Sequence, residues 1–269
     1  MALAHRSMRS LEEHFVCVNW DQRGAGKSFA PGADAATLTI PQFVDDAIAL
    51  IEVLRTRLPQ KKVFLVGHSW GTVLALEVAK RRPDLLLAFV SLGQVVDMKR
   101  GEQISYRFVL DRARACGNAR AVGALERIGP PPYSYGDLLV QRRWLSAYHG
   151  DLHTLTLLDF LSIMLDAPEY TLGDIIRFLR GARRTNALVW SELMEVDFLL
   201  EAPSLEVPVH FFLGRHDRTT PPELCVELCE VMGAPCKQMV WFESSAHMAN
   251  IEEPEKFQRE LAAIGAKYS

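Results

Sequence analysis

The chain has 269 residues, 49% hydrophobic and 23% charged, the composition of a globular protein that can bury a sizeable core in one large domain or two small ones. Lys and Arg number 30 against 33 Asp and Glu, a net charge of −3 that gives no electrostatic case for nucleic acid. The longest apolar run, residues 85–90, falls far short of the roughly 20 residues of a membrane helix. The first ten residues lack the apolar core of a signal peptide, so a cytoplasmic location away from membranes is expected.

Residues 14–20 (HFVCVNW) predict a short strand, followed by the turn-rich loop DQRGAGKSFAPG. Over 39–58, Phe43, Ala47, Leu50, Ile51, Leu54 and Leu58 recur at helical spacing, with Pro41 in the favoured first turn. The continuous apolar run at 62–66 predicts a parallel strand covered on both faces, and 69–82 a helix ended by Pro83. Buried strands are predicted at 85–92, 207–213 and 237–242, and helices at 222–232 and 254–266. This alternation predicts an α/β fold, a mostly parallel sheet flanked by helices. Residues 94–204 break the rhythm: they carry Pro130-Pro131-Pro132 and helical periods at 152–165 and 172–179, without strand signals. They read as a helical cap inserted between two strands, dividing the chain into a core (1–93 and 205–269) and a cap (94–204).

Gly67-His68-Ser69-Trp70-Gly71 fits G-x-S-x-G at the turn from a buried strand into a helix. Such a turn exposes the serine hydroxyl, while glycines on either side remove side chains that would collide with the strand and helix. The helix N-terminus favours negative charge, and the Trp70 backbone N–H can donate to an oxyanion. A serine nucleophile needs a base and an orienting acid, found at the C-terminal ends of later strands. Asp217, in GRHDRTTPP, and His247, in ESSAHMANIEEP, occupy such positions, with Asp97 the rival acid. His68, His210 and His216 read as structural.

Other signals carry less. Cys17, Cys116, Cys225, Cys229 and Cys236 contain no CxxC pair and read as small buried hydrophobes rather than metal ligands. Gly26-Lys27-Ser28 is no phosphate loop, because Asp21 stands where that motif needs glycine. The arginines between 112 and 184 alternate with acids and read as a solvated surface. No metal or organic cofactor is expected, since side chains supply every role. The expected partner is a small peptide or ester substrate, with a homo-oligomer left open.

NWDQRGAGKS (19–28), GHSWGTVLALEVAKRRPD (67–84), GRHDRTTPP (214–222) and Ala246-His247 together resemble the α/β-hydrolase superfamily, and within it the proline iminopeptidase-like serine hydrolases. The resemblance implies Ser69 as nucleophile, Asp217 as acid and His247 as base of an enzyme cleaving amides or esters through an acyl-enzyme. A small-ester carboxylesterase is the alternative. Cap glutamates of such peptidases hold the substrate's amino terminus; their ENHYF-like context is absent, leaving Glu192, Glu195 and Asp197 as candidates, with Asp166 and Glu169 behind them. The family usually has glycine where this chain has His68. Relative to the family the chain reads as N-terminally truncated: its first strands and an HGGPG-like oxyanion loop have no counterpart, and a catalytically silent product is the further alternative.

Overall fold

The computed structural model describes residues 9–32 and 34–268. Four parallel strands, β1 (Val63–His68), β2 (Leu86–Leu92), β3 (Val209–Gly214) and β4 (Lys237–Phe242), lie side by side in chain order. Helices connect them: α1 (Ile40–Arg57) precedes β1, α2 (Trp70–Arg81) joins β1 to β2, and α3 (Met98–Ala115) to α8 (Phe198–Glu201) fill the stretch between β2 and β3. Within that stretch lie α4 (Ala119–Ile128), α5 (Tyr135–Ala147), α6 (Leu157–Leu165) and α7 (Leu172–Leu193). Helix α9 (Pro222–Val231) leads to β4, and α10 (Ala249–Glu252) and α11 (Pro254–Tyr268) close the chain. No described helix is long and apolar enough to cross a membrane.

Local chemistry explains the helix ends. Thr39 caps α1 by accepting from the Gln42 N–H, with Pro41 in the first turn, where its missing N–H costs nothing. Thr171 and Asp174 form a reciprocal capping box at the start of α7, which runs fourteen residues beyond the predicted 172–179 because its apolar spacing is interrupted by arginines but not broken. The inward residues of α1 and α2, such as Phe43, Val44, Leu74 and Val78, share one hydrophobic cluster with Phe89 and Phe211 of the sheet and with Val189 and Trp190 of α7.

Three expectations need correction. Residues 14–20 form no strand: after a 3-10 turn (Arg9–Glu13) the His14 and Phe15 N–H groups still bond back to the Leu11 carbonyl and 16–20 have no regular structure, because among the described residues β1 bonds only β2 and no strand lies alongside to supply a ladder. Phe15 packs edge-on against Phe64, while Val16 and Val18 face outward. As an edge strand β1 is half-buried rather than covered on both faces, and β4, the other edge, exposes Lys237, Gln238 and Met239. Only β2 and β3 have the burial that an apolar run suggests. Of the cysteines, all free, only Cys225 is buried; Cys116 is exposed and the rest lie between.

Candidate active site

The turn from β1 into α2 places Ser69 in a strained conformation, φ 54° and ψ −125°, which few non-glycine residues adopt without cause. Three bonds hold it. The Ser69 N–H donates to the Leu92 carbonyl at the end of β2 (2.9 Å), and the Ser69 carbonyl accepts from the Thr72 hydroxyl (2.6 Å) and the Thr72 N–H (2.8 Å). Thr72 Oγ1 also accepts from the Val95 N–H, tying the turn to the chain leaving β2. A Cβ on Gly67 would lie 2.6 Å from the Gly71 carbonyl oxygen, so glycine is needed there. Gly71 is different: a Cβ there meets nothing within 4 Å, contrary to the expectation that both glycines prevent collisions.

Asp217 and His247 arrive from the ends of β3 and β4. His247 Nδ1 donates to Asp217 Oδ2 across 2.8 Å, and both side chains are buried. Asp217 Oδ1 accepts from the N–H groups of Thr219 and Thr220, and Oδ2 from the Thr220 hydroxyl. Burial works to raise the pKa of this carboxyl, but the facing His247 and the Thr220 donors outweigh it and hold it below its ordinary value. With Nδ1 carrying the proton toward Asp217, the other ring nitrogen is left as an acceptor.

The imidazole lies beside Gly93 and His68, the chain neighbours of Leu92 and Ser69. Gly93, adjoining the Leu92 carbonyl that holds Ser69, has φ +60°, and a Cβ on it would reach to 3.0 Å of His247 Cε1. On the other side His68 Nε2 donates to the His247 carbonyl at 2.9 Å, the two rings 4.8 Å apart. Burial and the neighbouring imidazole push the His68 pKa down to about 4, so its ring is neutral near pH 7. His68, Gly93 and Thr220 were not singled out as site residues from the sequence, since only the fold brings them to His247. The chain leaving α5 adds a further clamp: the His247 N–H donates to the Asp151 carbonyl and the Arg218 N–H to the Gly150 carbonyl.

A relative 32% identical over 259 residues, the "Probable aminopeptidase YbaC" of Bacillus subtilis (strain 168), matches 94% of this chain, which covers 81% of that protein. The chain belongs to the proline iminopeptidase-like α/β-hydrolases. The family model described as "Serine aminopeptidase, S33" matches residues 5–118. A "Proline iminopeptidase" of Heyndrickxia coagulans is 24% identical over 273 residues, 96% of this chain and 83% of that one. In fold, the chain is similar to the crystal structure of the proline iminopeptidase of Mycobacterium smegmatis, with a TM-score of 0.67 at 19% identity, covering 99% of this chain and 85% of that chain.

Other candidates from the sequence have structural duties in this α/β-hydrolase. Asp97 caps α3 by accepting from the Arg100 N–H, and its backbone bridges to Asp197, so His247 is held by Asp217 instead. Glu192 accepts from the Ile40 N–H at the start of α1. Exposed Glu195 pairs with Lys99, and Asp197 caps α8 through the Leu200 N–H. None of these three bonds is to a residue of the Ser69 turn or the His247 loop. The segment from Asp21 to Ser28 folds around a carboxylate rather than a phosphate: Asp21 Oδ2 accepts from the Lys27 N–H and Oδ1 from the Tyr170 hydroxyl. Gln22 of the same loop accepts from the Trp70 indole N–H at 2.9 Å, so this loop braces the residue after Ser69. Among the described residues no group of three or more His, Cys, Asp or Glu side chains could hold a metal ion.

Proposed function

We propose that this α/β-hydrolase is a serine hydrolase of the aminopeptidase kind, removing an amino-terminal residue, proline by preference, from small peptides. The reading is supported by the 2.8 Å bond from His247 Nδ1 to Asp217 Oδ2, in a loop whose His247 carbonyl is bonded by His68, the residue before the strained Ser69. In this reading Ser69 Oγ attacks the scissile carbonyl and its proton passes to His247 Nε2. Asp217, already ionised, offsets the charge of the imidazolium. The Trp70 N–H, in the first turn of α2 without an intrahelical acceptor, donates to the developing oxyanion. His247 returns the proton to the leaving amine, an acyl-enzyme forms on Ser69, and water activated by His247 releases the acid.

Turnover of proline dye amides tests the reading. Release of dye that is lost when the amino terminus is blocked, and lost in Ser69→Ala, is the expected result. Hydrolysis of short acyl nitrophenyl esters with no release from the amides would assign the site to ester substrates instead, and no turnover of either by the folded protein would refute the reading.

A further inference from the structure

A side chain at the end of a strand is held only as firmly as the loop that carries it, so the bonds of that loop set its position. In the loop after β4, Ser245, Ala246 and His247 are buried. One residue, Glu252 at the end of α10, bonds both chain neighbours of His247. Its N–H donates to the Met248 carbonyl at 3.0 Å, and its Oε2 accepts from the Ala246 N–H at 2.7 Å. The His247 main chain is thus bracketed on either side by the same residue. Glu253 extends the hold upstream, accepting from the Ser244 N–H at 3.0 Å and from the Ser245 hydroxyl at 2.6 Å.

The other carboxylate oxygen of Glu252 reaches the chain between α5 and α6. Oε1 accepts from the N–H groups of His153 and Thr154, both at 2.6 Å, and from the Thr154 hydroxyl at 3.1 Å. This is the stretch whose Asp151 carbonyl accepts from the His247 N–H and whose Gly150 carbonyl accepts from the Arg218 N–H. Its His153 ring also stacks on His216, the residue before Asp217, with centroids 3.6 Å apart. Four donors therefore converge on one carboxylate, one from the His247 loop and three from the segment laid across it. Hydrogen bonds to an ionised acceptor are about twice as strong as neutral ones. Ala246 has little room to find another partner, because Gly214 at the end of β3 lies too close to its carbonyl to accept even a Cβ. Without Glu252 its buried N–H would stand unpaired, a costly state that the loop relieves by shifting.

We infer that Glu252 is a positioning residue for His247: its carboxylate ties the His247 loop to residues 153 and 154 and so sets where the imidazole stands. The inference rests on the reading of His247 as general base, and Glu252 acts through His247 rather than on the substrate. Glu252→Ala removes both halves of the tie, while Glu252→Gln keeps one oxygen and turns an amide NH2 toward the other donors. On the best dye substrate, kcat should fall about tenfold in Glu252→Ala and less in Glu252→Gln, with KM within about twofold of wild type. Proton NMR supplies a readout that needs no turnover. The His247 Nδ1 proton, bonded to Asp217, should resonate far downfield of the amides in the wild type and vanish in His247→Ala. In Glu252→Ala it should shift or broaden, and in Glu252→Gln shift less. A Glu252→Ala protein that melts cooperatively with wild-type kcat, with the loss carried by KM, or with the resonance unmoved would overturn the inference. So would a wild type without the downfield proton. If Glu252→Ala does not fold, Glu252→Gln decides by the same measures. If the wild type turns over no substrate, that failure belongs to the proposed reaction, and the resonance alone decides the role of Glu252.

Discussion

Replacing Gly93 by alanine puts a number on how closely the imidazole is fitted. The added Cβ would stand 3.0 Å from His247 Cε1, 3.1 Å from Nδ1 and 3.1 Å from Thr220 Oγ1. Ordinary carbon contacts lie at about 3.5–4.0 Å, so the ring and the threonine must yield by about half an ångström. Those atoms make the 2.8 Å bond to Asp217 and its neighbour at 3.2 Å. A misplacement of 1 Å can cost about 100-fold in rate, so half of that costs on the order of tenfold. Gly93 also sits at φ +60°, where alanine pays about 1–2 kcal/mol, or a melting temperature lower by roughly 2–8 °C in a domain of this size. Gly71→Ala is the matched control, since a Cβ there enters open space and alanine suits a helix. Steady-state kinetics on the best dye substrate should show kcat down about tenfold for Gly93→Ala and unchanged for Gly71→Ala. Equal activity of the two variants would refute the placement of His247 against Gly93.

Two further outcomes follow from the histidines beside and beneath the site. His68→Ala removes the donor to the His247 carbonyl and should lower kcat on the order of tenfold with KM little changed, while His68→Gln, which keeps an N–H, should recover most of the loss; equal rates for the two would contradict the role. His210, buried in β3 with neither ring nitrogen hydrogen-bonded, has its pKa pushed down by burial and by Lys267 to about 4 from an ordinary 6.5. The unfolded chain therefore takes up a proton that the folded one refuses. The stability this neutral ring allows is intact above about pH 6.5 and is lost as pH falls toward 4, on the order of 3 kcal/mol from this residue. Urea melts at a series of pH values should show His210→Leu with a shallower loss across that window, and an unchanged slope would count against it.

The elements most legible in the sequence were those whose pattern is local. β4 has the limits its apolar run implied, and α1, α2 and α9 end within two residues of the predicted positions, because caps, prolines and helical spacing are written in neighbouring residues. Strand character at 14–20 was not decidable that way. An alternating apolar segment becomes a strand only if another strand bonds it, and β1 bonds only β2. The edge positions of β1 and β4 were hidden for the same reason, since burial of a strand depends on the order of the sheet. Ser69, Asp217 and His247 were candidates because each follows a strand, and the structure brings His247 and Asp217 within a 2.8 Å hydrogen bond. His68, Gly93 and Thr220 act on His247 across 179, 154 and 27 residues of chain, a proximity that only the fold creates. The acids Glu192, Glu195 and Asp197 illustrate the converse. Glu192 has the chemistry of an amine anchor, but its carboxylate answers the unpaired N–H of Ile40 at a helix start, a demand that local sequence does not reveal.

Covalent capture of Ser69 bears most directly on the proposed chemistry. The folded protein would be treated with a fluorophosphonate, digested, and the adduct located by mass spectrometry. One phosphonyl group on Ser69 of the wild type, formed far more slowly in His247→Ala and absent in Ser69→Ala, is the expected result. A wild type that melts cooperatively yet carries no adduct, or carries it on another residue, would contradict the nucleophile and base assigned here.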